Sequence, residues 1–355
     1  MQNSPKTLMP VKGIPGRSAS VNGEDYLFFS GFAYLGMPSL PAFQQLIAEG
    51  AKSHGAVFPS SRISNTPSVL YEDFESALST LTGLPASASF SAGYMASQAA
   101  AFFASQNSEL LYAPGAHPSL RIAGQQIPPL METDWRQQII AIVNHHERQN
   151  HTIVLESVNP LSGEVHDLSW LKEIRRPVRL LIDDSHGIGL LGDRGEGIMA
   201  YLPPPGHFQY LISYSLSKAF SCEGGALSGG QKDIDGIKKL PWFTAATGMS
   251  PLFAGAWIQA RPLFARQKER LRAAVDYFHR KAAGIPALRH DPRLPVAAVG
   301  DPGVYAHCLK HHILLSAFRY PSPQDPLMAR IVLNALHTTG DIDRLCACLR
   351  QYFKA

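Results

Sequence analysis

The sequence predicts an α/β fold, with a large domain built on a mostly parallel sheet between helices and a smaller α+β domain after it. Two observations carry this. Short apolar runs alternate with stretches of helical periodicity through 87–213, and continuous apolar runs suit strands buried on both faces. A long helical stretch over 251–283 then separates that pattern from a tail of strand-like runs and a final helix. The chain has 355 residues, more than one ordinary domain. It divides into an N-terminal arm and strand joining the small domain (1–39), a large domain (40–249) and a small C-terminal domain (250–355).

In chain order, residues 1–25 are rich in Pro, Gly and Ser and read as an irregular arm. Residues 26–29 read as a strand, and 41–55 and 69–81 as helices. Strands are expected at 87–90, 110–112, 139–143, 153–156, 178–182 and 210–213. In the tail they are expected near 295–299, 313–317 and 329–334, before a helix from Asp341.

Hydrophobic residues make up 45% of the chain and charged residues 17%, which favours a packed core over disorder. The formal net charge of +4 comes without a block of like charge, so no nucleic-acid partner is implied. Cys222, Cys308, Cys346 and Cys348 have no disulfide-framework spacing and read as reduced thiols. No apolar leader follows Met1 and no run reaches membrane-span length. A soluble cytoplasmic protein without membrane association is expected.

In open α/β sheets ligands bind beyond the carboxyl ends of the strands. The apolar run 180–182 delivers Asp183, Asp184 and His186 to such an edge. A nearly buried Asp183 needs a positive partner, and a pyridinium nitrogen is one. Opposite charges ~4 Å apart attract by about 4 kcal/mol at an effective dielectric of ~20. The bland alternative is a helix cap by Asp184 and a core-satisfied His186. The strand over 210–213 leads to Lys218, set between Ser215, Ser217 and the glycines 224 and 225. Burial can depress a lysine pKa and supply the neutral amine that Schiff-base chemistry needs. Residues 90–97 read as a strand, a small-residue turn around Gly93 and Tyr94, and a helix start able to hold a phosphate. His117 follows another strand and can stack on a flat ring.

Together these residues resemble the α-oxoamine synthases, a branch of the fold-type-I pyridoxal phosphate (PLP) enzymes. The segment Asp183-Asp184-Ser185-His186-Gly187, with the glycines at 189, 192, 195 and 197, is similar to the family's DD-[AS]-H-G segment. Ser215-Leu216-Ser217-Lys218 resembles its T-L-G-K, Ser61-Arg62-Ile63 its S-R-L, and Tyr34-Leu35-Gly36 its Y-L-G. The resemblance implies that Lys218 carries PLP as a Schiff base and later moves the α-proton. It implies that Asp183 pairs with the pyridinium nitrogen, His186 with the ring hydroxyl, and that His117 stacks on the ring. Gly93, Tyr94 and Ser215 would form the phosphate pocket. Arg330 falls where the family places its substrate-carboxylate arginine, and Arg319 and Ser322 lie in a segment similar to its A-I-R-P-P-T. A structural ion pair is the alternative for Arg330.

The implied reaction is decarboxylative condensation of an amino acid with an acyl-CoA, in a homodimer whose sites are shared. The segment 243–250, with Thr247 and Ser250, is the expected phosphate donor to the neighbouring subunit. Phe32, Pro160 and Gln324 depart from the family pattern, all on the substrate side. An aminotransferase on the same fold is the first alternative. A non-enzymatic metal-binding or interaction protein is the second, suggested by His307-Cys308-x-x-His311-His312. No second cysteine or carboxylate is near in sequence to complete that set, so no metal is expected there.

Overall fold

Two sheets organise the computed structural model, which describes residues 8–122, 134–145, 149–159, 162–319 and 324–354. The large sheet has six strands, in the order Ala86–Phe90, Gly225–Gly229, Phe208–Ser215, Val178–Asp183, His151–Glu156 and Glu109–Tyr112. The last four run parallel. Gly225–Gly229 is antiparallel to both its neighbours. Its glycine-flanked sequence lacks the apolar run that marks the others, so no strand is expected there from the sequence. Alanines 96, 99, 100, 101 and 104 are buried on the helix Gly93–Ser105. These small side chains let the helix lie close on the sheet. The helix Val69–Thr82 stops at Gly83, whose φ of 72° is the left-handed C-cap conformation.

The small sheet has seven strands, and its order mixes the two ends of the chain. Val11–Lys12, Ser18–Val21 and Glu24–Phe29 form one half, and Glu24–Phe29 pairs in parallel with Ile313–Arg319. Leu327–Val332, Val296–Val299 and Leu288–His290 complete it. The first 25 residues are therefore not an irregular arm throughout. Asn22 and Gly23, both at positive φ, turn one strand into the next.

The run over 139–143, expected as a strand, lies inside the helix Trp135–His145. Ile139, Ile140 and Val143 are buried while Ala141 is exposed, a helical rather than alternating pattern. Short apolar runs do not discriminate helix from strand by periodicity.

The helix Pro251–Ala282 has 32 residues and is about 48 Å long at 1.5 Å per residue. Ala254, Trp257 and Phe264 join the core beside the large sheet, while Phe278 and Ala282 join the core of the small one. One rod thus serves both cores. No helix among the described residues is long and apolar enough to cross a membrane.

Candidate active site

The parallel strands of the large sheet end along one edge. Register sets Glu156 beside Asp183 and Asp183 beside Ser213, so two carboxylates and a hydroxyl form a row across the strand ends. The strand Phe208–Ser215 then enters the connection that carries Lys218. That connection is closed by backbone bonds from Leu216 N–H to Gly224 O and from Cys222 N–H to Leu216 O. Gly225 has no room for a side chain, because a Cβ there would meet Gly93 Cα at 2.3 Å. The helix start at Gly93 and the strand ends are thereby drawn into one site.

Lys218, Asp183, His186, His117, Gly93, Tyr94 and Ser215 all line one cavity of about 400 Å³. That size suits a small cofactor or substrate. Asp183 is buried. It accepts from Ser185 N–H at 2.9 Å and from the Ser119 hydroxyl at 3.4 Å. Lys218 Nζ is 2.8 Å from His186 Nε2, and His186 Nδ1 is 2.8 Å from the Tyr34 hydroxyl. His117 Nδ1 is 2.7 Å from the Ser119 hydroxyl. The Ser215 and Ser217 hydroxyls are 2.8 Å apart.

Burial dominates the electrostatics. It lowers the Lys218 pKa against the pull of Asp183 and Glu156. It holds His186 well below the usual imidazole range, and the Lys218 charge adds to this. His117 is lowered by burial as well. Glu156 is pushed up to about 8, by burial first and then by Asp183. The site therefore favours uncharged histidines, a readily deprotonated lysine and a protonated Glu156.

Asp184 does not reach the cavity. It is fully buried and accepts from Ile198 N–H at 2.9 Å. A Cβ at Gly187 or Gly197 would lie within 2.0 Å of its carboxylate oxygens. The glycine pattern after His186 thus lets the loop fold around Asp184. Burial raises the Asp184 pKa to about 7.

Glu156, Tyr34 and Ser119 belong to the site and were not among its expected residues. Glu156 carries the same signal as Asp183, a polar residue ending an apolar strand. Arg330 sits on the strand Leu327–Val332 of the small sheet with its guanidinium 4.6 Å over the Phe318 ring. Its charge acts on Tyr34, His186 and Lys218. Arg319 is exposed and donates to the Asp325 carbonyl, and neither it nor Arg330 is among the residues lining the cavity. Ser322 and Pro160 lie outside the described residues. Phe32 and Gln324 are exposed.

The profile of the aminotransferase class I and II family matches residues 42–349. The chain belongs to that family. An 8-amino-7-oxononanoate synthase of Nitrosomonas europaea is 27% identical, with 96% of this chain and 93% of the relative covered. Another, of Pseudomonas savastanoi pv. phaseolicola, is 25% identical, with 95% and 89% covered. The fold is shared with a serine palmitoyltransferase from S. paucimobilis, solved with a PLP–myriocin aldimine bound (TM-score 0.82, 16% identity, 98% and 92% covered). It is shared also with an 8-amino-7-oxononanoate synthase from Francisella tularensis (TM-score 0.71, 17% identity, 93% and 98% covered).

Proposed function

We propose that this family member is a PLP-dependent acyltransferase of the α-oxoamine synthase type, condensing an amino acid with an acyl-CoA with loss of CO2. The convergence of Lys218, Asp183, His186, His117 and the helix start at Gly93 on one cavity carries the reading. The names of the curated relatives support the acyl-transfer class.

The donor set fits the cofactor. Asp183 is a buried carboxylate that no ion pair holds among the described residues, a costly arrangement unless a cation joins it. Asp183 would meet the pyridinium nitrogen, and Lys218 would hold the cofactor covalently. His117 would lie against the ring and His186 would meet its hydroxyl. The first-turn N–H groups at Gly93 and Tyr94, with Ser215, would hold the phosphate. When bound, PLP supplies an electron sink for a carbanion at the substrate α-carbon.

The chain's own residues do the rest. Burial disposes Lys218 Nζ to give up its proton, so it serves as nucleophile and then as the base at the α-carbon. Glu156, pushed up to about 8, keeps its proton near neutral pH. The Arg330 guanidinium would hold the substrate carboxylate through two parallel hydrogen bonds. Sites shared within a homodimer suit the segment 243–250. There Thr247 is exposed, whereas the Ser250 hydroxyl donates to the Ala56 carbonyl. Four unpaired cysteines agree with a reducing cytoplasmic compartment.

Purified protein supplied with PLP and small L-amino acids, L-alanine first, should release CoA thiol and CO2 only when acyl-CoA is added. Keto-acid formation without CoA release would establish an aminotransferase instead.

A further inference from the structure

Far from the cofactor cavity, the small domain gathers three metal-type ligands. The helix Val304–Lys310 carries His307, and His311 is the residue that caps it. The third ligand comes from a distant part of the chain. The final helix, Thr339–Lys354, packs against this short one and brings in Cys348. A ring nitrogen of each histidine and the Cys348 sulfur all lie within 4.8 Å of one another. The two imidazole rings are 4.7 Å apart at their centroids.

We propose that His307, His311 and Cys348 bind a divalent d-block cation of the zinc class. Two imidazoles and one thiolate are a borderline-soft donor set, which favours zinc over magnesium or calcium. Bonds of about 2.0–2.3 Å put tetrahedral ligand atoms roughly 3.3–3.8 Å apart. The observed cluster, within 4.8 Å, is looser than that range, so binding requires the ligand atoms to close by about 1 Å.

A second observation points to a ligand. His307 Nε2 is enclosed and has no hydrogen-bond partner among the described residues. A bound cation satisfies such an atom. The Cys348 thiol donates toward the Cys308 sulfur at 3.8 Å, and metal binding would replace that proton. Tyr352 packs on the His307 ring at 5.3 Å and fixes its plane. Three protein ligands leave a fourth position for water. An ion there ties the short helix to the final one.

The test is titration of the full-length, tag-free, thiol-reduced protein with Co2+. One equivalent per chain should give tetrahedral-type visible bands and thiolate-to-cobalt charge-transfer absorption, both removed by added Zn2+. Cys348→Ser should abolish the charge-transfer absorption. His307→Gln and His311→Gln, at partly exposed positions, should weaken binding on the order of 100-fold. His312→Asn should bind as the wild type does, because the His312 ring lies against Tyr26 at 5.1 Å instead. Circular dichroism checks that each variant is folded. No charge-transfer absorption in the reduced wild type, or its survival in folded Cys348→Ser, would overturn the proposal. Neither result bears on the PLP reading, since no ligand of this site lines the cofactor cavity.

Discussion

Two buried carboxylates, Glu75 and Glu156, lie by the large sheet and end in opposite charge states. Glu75 accepts from Arg62 at 2.6 Å, from Lys238 at 2.7 Å, and from the Ser89 N–H and hydroxyl at 2.8 Å each. Burial pushes its pKa up, but Arg62 and Lys238 outweigh that and hold it below the ordinary range. Glu156 has like charge beside it in Asp183, and its pKa rises to about 8. A buried acid with matched partners stays ionised and braces the fold. A buried acid beside a like charge keeps its proton, and its neighbours are poised for chemistry.

The largest effect is expected at the poised cluster. Lys218→Ala should lower acyl transfer on the order of 10³-fold or more, since it removes both nucleophile and base. It should also abolish the visible absorbance of lysine-bound PLP while leaving the thermal midpoint of the cofactor-free protein nearly unchanged. A yellow, active variant would remove Lys218 from the site.

The braced cluster should answer in stability. Glu75→Ala leaves Arg62 buried without its partner, and urea denaturation should show a loss of about 3–5 kcal/mol. Lys238→Ala should cost much less, because its side chain is 34% exposed against 10% for Arg62. Equal losses would mean that the network is not anchored on the Arg62–Glu75 pair.

The finest test is the pH dependence at Glu156. Its ordinary pKa is 4.5 and its folded value about 8. Between those values the folded state holds a proton that the unfolded state releases. The stability from this group is therefore complete below about pH 4.5 and is lost as pH rises toward 8. Asp184, raised to about 7, acts in the same direction, and the lowered Lys218 acts in the opposite one. The informative quantity is thus the difference between variants. In cofactor-free protein, Glu156→Gln should lose less stability than the wild type between pH 5 and pH 8. Identical slopes would show that Glu156 ionises normally.

Much of the site was legible because strand ends announce themselves. Asp183, His186 and Lys218 each follow an apolar run, and all three line the cavity. Glu156 carried the same signal but had no motif to draw attention to it. The run at 139–143 misled because five apolar residues suit a strand and one face of a helix equally well. The N-terminal strands were hidden because Val11–Lys12 and Ser18–Val21 are too short for a period to show.

By itself the sequence determined the alternation of strands and helices, the long connecting helix and the chemical types gathered at the strand ends. These are local properties, set by periodicity and by where polar residues interrupt apolar runs. Only the tertiary structure decided which charges meet. It set Glu156 against Asp183, gave Glu75 its two cations, brought the Arg330 charge to bear on His186 and Lys218, and carried Cys348 to His307 and His311. Each of those encounters joins residues at least 13 positions apart. Register and helix packing settle them, and neither is written in any single segment.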